Sequence, residues 1–227
     1  MGLGGQLLYA GELDEESRAI VLAGNIAGCA TLAATADLAM QKQAIRDGVV
    51  DFLVTSLDEA LRILKNELRK RAAVAVCVGM SATQVEREML ERGVRPDLAK
   101  DSCVSANTAW TDPSLEVHRE RVRAQATVAW FVESSPVKWL PTLDAIALEC
   151  LDPADAWNRR WLRLSPRYLG RLAPNMRLVK ASQEFVASFV EAMRRQYAQG
   201  EIPVETTILV SSIAGCEEHH FPAVVSH

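Results

Sequence analysis

Short apolar runs alternate along the first hundred residues with longer stretches whose apolar positions recur at helical spacing. That rhythm predicts a parallel sheet wound by helices. Gln6–Ala10 reads as a first strand, and the polar segment Gly11–Glu16 as the loop after it. Ser17 or Asp14 can cap a helix running from about Glu15 to Ala27. Ala30–Thr35 is a second strand, and Asp37 caps the helix Leu38–Asp47, which Gly48 stops. Val49–Val54 is a third strand. Ser56 then opens a helix with Glu59 at the reciprocal capping position. On that helix Leu57, Ala60, Leu61, Leu64 and Leu68 form one stripe, with Arg62, Lys65 and Arg69 on the other side. Val74–Val78, ended by Gly79, is the fourth strand; Thr83–Arg92 is the next helix, closed by Gly93; Pro96–Ala99 leads into a fifth strand or strand end.

Beyond Asp101 the rhythm breaks. Asp101–Pro113 is polar and loop-like, and Ser114–Arg123 reads as a charged helix. Gln125–Val132 is a strand or a helix continuation, because so short an apolar run does not settle its own period. Trp139–Cys150 looks helical, Asp155–Arg171 is rich in Trp and Arg, Met176–Val179 resembles a strand, Ser182–Gln199 is a well-patterned helix, and Ile202–Ile213 has β-branched strand character. The predicted architecture is an α/β doubly wound, Rossmann-like domain over residues 1–135, with a small α+β extension over 136–227.

The 227 residues are 49% hydrophobic and 24% charged, with a net charge of −4. This is globular composition without the basic footprint that nucleic acid demands, so no nucleic-acid partner is expected. The longest membrane-span candidate, Arg18–Asp37, is interrupted by Gly24, Asn25 and Gly28, so no membrane partner is expected either. Five scattered cysteines without a CxxC pair, behind an N-terminus lacking a basic signal region, predict reduced thiols used for packing and a cytoplasmic location.

Several segments carry a resemblance when read together: Gly28 into Asp37, Val54-Thr-Ser-Leu-Asp-Glu-Ala-Leu61, Val74–Gly79 with its following helix, and Glu91-Arg-Gly-Val-Arg-Pro-Asp-Leu98. In order and spacing they resemble the central Rossmann-like domain of urocanate hydratase, whose corresponding runs are R/T-x-D-L-D-E-A-L and R-R-G-x-x-P-D. The resemblance implies a hydro-lyase that adds water to urocanate, with a tightly held NAD⁺ acting as electrophile toward the imidazole. It also implies a glycine-rich turn after the first strand that receives the cofactor's diphosphate.

Here that turn is Gly11-Glu-Leu-Asp-Glu-Glu-Ser17, in which only Gly11 matches. Glu12, Asp14, Glu15 and Glu16 bring negative charge to the diphosphate position, and like charges a few Å apart cost about 1 kcal/mol even in water. The acid that holds the ribose falls at Thr35 by spacing, with Asp37 two residues on as a substitute. The family's Q-T-S-A-H run corresponds to Cys103-Val-Ser-Ala-Asn107, where Ser105 and Ala106 match. The family's Y-T-G-C-Q-G catalytic segment has no counterpart in this sequence. An unaltered NAD pose and unaided hydratase activity are therefore not expected.

In an open parallel sheet the ligand crevice lies at the carboxyl ends of the strands. The candidate cofactor-binding residues are Gly11, Glu12, Asp14, Thr35, Asp37, Gly79, Ser81, Ser105 and Asn107; no catalytic or metal residue is assigned. Gly24-Asn-Ile-Ala-Gly28 is read as helix–strand packing with a helix stop rather than a phosphate loop. Cys216-Glu-Glu-His-His220 is read as an exposed tail rather than a metal site, and His118 as a surface residue. The Trp157–Arg171 segment either packs its Trp and Leu side with the arginines solvated, or grips an anion. Three functions stay open: a nucleotide- or small-metabolite-binding module without complete hydratase activity, a lyase subunit completed by another chain, and an interaction module that forms a homodimer.

Overall fold

Ala30–Ala34 is buried at every position and forms the middle strand of a five-stranded sheet. Its small side chains let helices approach closely on both faces. The computed structural model describes residues 3–100, 125–170, 172–212 and 215–223. The chain divides into two units, Met1–Asp112 and Pro113–His227.

The first unit runs β1 (Leu7–Glu12), α1 (Glu15–Ala27), β2 (Ala30–Ala34), α2 (Leu38–Arg46), β3 (Phe52–Val54), α3 (Leu57–Lys70), β4 (Val74–Val78), α4 (Ala82–Glu91) and β5 (Leu98–Ala99). The strand order is β3-β4-β2-β1-β5, and every pairing is parallel. Alternate side chains divide between two faces. Tyr9, Leu32, Val76 and Val78 meet Leu57, Leu64, Val85 and Met89 of α3 and α4. On the other face Leu8 and Cys29 pack with Ala27 of α1. The unit is the doubly wound α/β fold that the sequence pattern predicts.

Gly24 and Gly28 serve packing and termination, as expected. A methyl group at Gly24 would lie 2.6 Å from Leu8 Cδ2 and 2.8 Å from Thr31 Oγ1, so the glycine sets how closely α1 lies on the sheet. Gly28, at φ 97°, ends the helix with its N–H donating to the Gly24 carbonyl at 2.9 Å. The third strand is shorter than expected. Val49 and Val50 are buried, yet their amides turn back to the Ala44 carbonyl of α2, so the ladder begins only at Phe52. Burial and sheet pairing are separate properties, and the apolar run reported the first.

The second unit contains β6 (Ala126–Val132), α5 (Pro136–Cys150), α6 (Ala156–Leu169), β7 (Met176–Ala181), α7 (Gln183–Ala198), β8 (Thr206–Ser212) and β9 (Gly215–Phe221). Its sheet is antiparallel in the order β7-β6-β8-β9. Val128, Trp130, Val179 and Ile208 face Leu140 and Leu143 of α5 and Phe185 and Phe189 of α7. Within this core Asp144 accepts from Trp130 Nε1 at 3.1 Å and from Arg177 Nε at 3.0 Å. Burial raises the Asp144 carboxyl to about 6, against the opposing pull of the Arg177 charge and of the Trp130 and Arg177 hydrogen bonds.

Three expectations change here. The boundary expected at 135 falls after β6, but β6 hydrogen-bonds β7 and β8 on its two sides, so it belongs to the second unit. The expected exposed tail at Cys216–His220 is instead strand β9, paired with β8 from Thr206↔Phe221 to Ser212↔Gly215. Its side chains are nonetheless largely exposed, and Cys216 is a surface thiol rather than a packing residue. An edge strand with polar residues on both faces carries no apolar alternation to read. For the Trp157–Arg171 segment the packing reading holds in part. Trp161 Nε1 and Asn158 Nδ2, both on α6, each donate at 2.7 Å to β7 carbonyls, those of Leu178 and Lys180. They close that edge of the sheet, while Arg160, Arg163 and Arg167 are exposed. His118 and the expected helix Ser114–Arg123 lie outside the described residues. Among the described residues no helix is long and apolar enough to cross a membrane.

Candidate functional site

Four loops follow β1, β2, β3 and β4 at the carboxyl rim of the parallel sheet, and each leads into a helix whose first amides are capped by the chain itself. Asp14 caps α1, accepting the Ser17 N–H at 2.7 Å. Asp37 caps α2, accepting from Ala39 at 2.7 Å and from Met40 at 3.3 Å. Ser56 caps α3 and Ser81 caps α4 through the amides of Glu59 and Gln84. The reciprocal member of the α3 box, Glu59, takes the Thr55 N–H at 3.4 Å. Helix N-termini are the natural seats for anions because their amides and dipoles point outward. Here one or two of those amides at each helix are already taken by the chain's own side chains.

The end of β1 departs furthest from an anion cradle. Gly11 sits at φ 74°, where the β1–β2 register slips between Tyr9 and Gly11. The next side chain, Glu12, crosses to α4 and accepts the Ala82 N–H at 3.0 Å. At the mouth of α1, Lys100 reaches in from the end of β5. Its Nζ lies 3.0 Å from Asp14 Oδ2, 2.8 Å from Glu16 Oε2 and 3.1 Å from Ser17 Oγ. Ser17, fully buried, donates a hydrogen bond from its own hydroxyl to the Ala10 carbonyl at 2.8 Å. Desolvation pushes the Asp14 carboxyl up, but the Ser17 amide and the Lys100 ammonium outweigh it and hold the group below its ordinary value. Desolvation also opposes the charge on Lys100, and Glu16 and Asp14 together raise it above its ordinary value. One ammonium is thus shared by two carboxylates of the acidic turn, which stays net negative but is internally paired at the mouth of α1.

On the β2–β4 side the rim is more open. Thr35 is buried; its Oγ1 accepts the Asp37 N–H at 3.3 Å, and its carbonyl accepts Gln41 Nε2 at 2.9 Å. Gly79 and Ser81 are exposed beside this seam, and a methyl group at Gly79 would lie 3.3 Å from Gln41 Nε2. Beneath the rim Tyr9 is fully buried and donates to Glu86 at 3.2 Å. Burial and the charge of Glu12 push the Cys77 thiol up to about 12, so it stays protonated and serves packing.

Of the expected site residues, the fold gathers Gly11, Glu12, Asp14, Thr35, Asp37, Gly79 and Ser81 at one rim. Ser105 and Asn107 lie outside the described residues. Sequence reasoning missed Lys100 and Gln41. Lys100 had one available signal, a lysine directly after a short predicted strand in a sheet whose first loop is acidic. Gln41 had none, because its partners are backbone groups. Among the described residues no cluster of His, Cys, Asp and Glu is arranged to hold a metal.

The comparisons with known proteins agree with this fold. The family model of the urocanase Rossmann-like domain matches residues 2–126, more than half of the chain. The chain is also similar to an S-methyl thiourocanate hydratase of Variovorax sp. (strain JCM 16519 / RA8), with 30% identity over 83 residues. That segment is 37% of this chain but 15% of the relative, so the chain matches only a small part of that protein's length. With its wound parallel sheet and a family match over most of the first unit, the chain belongs to the urocanase family through its Rossmann-like domain.

Proposed function

We propose that this protein is a urocanase-like binding module that does not hydrate urocanate by itself. Its ligand is a small metabolite or a nucleoside-like group held at the β2–β4 side of the rim. The observation that carries this reading is the Lys100–Asp14–Glu16 cluster at the mouth of α1. A dinucleotide whose diphosphate sat on that helix would have to displace the Asp14 carboxylate from the Ser17 amide and separate it from Lys100. Glu12, on the Ala82 amide, closes the neighbouring helix end to an anion in the same way. The residues present do not fit NAD in the family's pose. Asp37 and Ser81, exposed beside Gly79, by contrast carry a carboxylate and a hydroxyl suited to a neutral or cationic polar ligand.

A thermal-shift series with NAD⁺, adenosine, urocanate and histidine tests this on the whole chain, because a ligand bound only to the folded state raises the melting temperature. A ligand at a hundredfold excess over its Kd adds about 2.7 kcal/mol. A shift with one of the small ligands and none with NAD⁺ is expected, together with no loss of urocanate absorbance. Turnover by the isolated chain, or NAD⁺ binding that the charge of Asp14 does not oppose, would falsify the reading.

A further inference from the structure

We infer that the second unit carries an anion site on the outward side of α6, built for a small phosphate monoester. This inference is independent of the reading of the rim in the first unit. Arg159, Arg160 and Arg163 line a groove of about 380 Å³ together with Pro153, Ala156 and Leu164, and the lining contains no carboxylate. The size falls within the range of small-molecule sites.

The groove lies in an unusual stretch of the chain. Between Asp155 and Glu184 the sequence has neither Asp nor Glu, while Arg159, Arg160, Arg163, Arg167, Arg171, Arg177 and Lys180 all fall within it. In a chain of net charge −4 this is the one long segment that is purely cationic. Arg18 and Arg92, outside this segment, and Arg177 within it each face an aspartate. Arg163 has no such partner among the described residues, although it is exposed and sits beside two other guanidinium groups. Like charges lining one groove repel, and an anion between them relieves that repulsion.

Arg159 gives the groove a fixed wall. Its Nη1 donates at 2.8 Å to the Leu148 carbonyl and at 3.4 Å to that of Leu151, at the end of α5, so the guanidinium is tethered rather than free to swing into solvent. Arg163 follows at i+4 on the same side of α6. Guanidinium groups from successive turns line the same groove, and several forked donors around one ligand suit a tetrahedral dianion better than a single flat carboxylate. Pro153, Ala156 and Leu164 supply the apolar wall that an ester's organic group would cover.

The test uses the whole chain in low-salt, phosphate-free buffer, with calorimetric titration of inorganic phosphate, phenyl phosphate and succinate. Saturable binding is expected, with phenyl phosphate tighter than inorganic phosphate and succinate weakest. Arg163→Ala is expected to weaken phenyl phosphate binding about tenfold or more, as loss of a charge-assisted pair does, and Arg163→Lys to weaken it less. Arg92→Ala, in the first unit, should leave it unchanged. Far-UV circular dichroism checks the fold, and Arg163→Gln, which keeps the side-chain stem, replaces the alanine variant if that one is unstable. Phosphate binding unaffected by either Arg163 change, succinate binding as tightly as phenyl phosphate, or no binding at millimolar concentration would each overturn the assignment.

Discussion

Asp144 and Arg177 meet 3.0 Å apart inside the second core, both less than a tenth exposed, with Trp130 Nε1 on the second oxygen of the carboxylate. Such a pair pays a desolvation cost that its Coulomb attraction does not fully return. The carboxyl titrates at about 6 in the fold against an ordinary value of 3.8. A raised folded value means that the native state binds its proton more tightly than the unfolded chain. Asp144 therefore contributes stability below pH 4, and loses it as the pH rises toward 6. The size is about 3 kcal/mol between pH 4 and 7. Urea unfolding followed by tryptophan fluorescence should show this slope in the native protein and not in Asp144→Asn. Equal slopes would remove the argument.

Lys100 should matter more to local charge than to global stability. In Lys100→Ala the Asp14 carboxyl loses the cation beside it and should titrate higher than in the native protein, as followed by carbon-13 chemical shifts. Because the folded value is depressed, the stabilisation that Asp14 provides is present above its ordinary value and fades as the pH falls below it. The acidic partners are well exposed, so the stability change should stay below about 1 kcal/mol. An unmoved Asp14 titration would contradict the cluster.

Gly24→Ala should destabilise the first unit by about 1–3 kcal/mol, the usual cost of overpacking a closed contact. The added methyl would meet Leu8 and Thr31 well inside contact distance. A melting temperature equal to the native value would show that α1 can move away from the sheet at little cost.

Trp161→Phe keeps most of the ring but loses the 2.7 Å bond to the Leu178 carbonyl. About 1 kcal/mol of stability should be lost. The newly unpaired edge of β7 should raise light scattering at high concentration. A variant as monodisperse as the native protein would show that Asn158 alone suffices to close that edge.

What could be read from the sequence was set by distance along the chain. The span of α1 and the whole of β4 coincide with the predicted segments, because caps, glycine stops and apolar runs act within a few residues. The caps at Asp37 and Ser56 were legible for the same reason, and Asp14 was one of two candidates for α1, whereas Ser81 was not read as a cap. The partners that define the rim were not. Lys100 is separated from Asp14 by 86 residues, and Ala82 from Glu12 by 70. Only the strand order brings them together, and the alternation of strands and helices does not specify that order. The second sheet was harder again. A lone apolar run such as β6 settles neither its period nor its neighbours, and β9 hides its extended backbone behind Glu and His.

The self-capped helices at the carboxyl rim bear on how selectivity could arise in such a module. Recognition through main-chain amides tolerates almost any side chain, so a glycine-rich turn tends to keep one ligand while the residues around it drift. Where those amides are answered from within, discrimination falls to the few side chains that still face outward. Replacing Asp37 or Ser81 would then do two things at once, changing an outward side chain and releasing the amides which that side chain had answered.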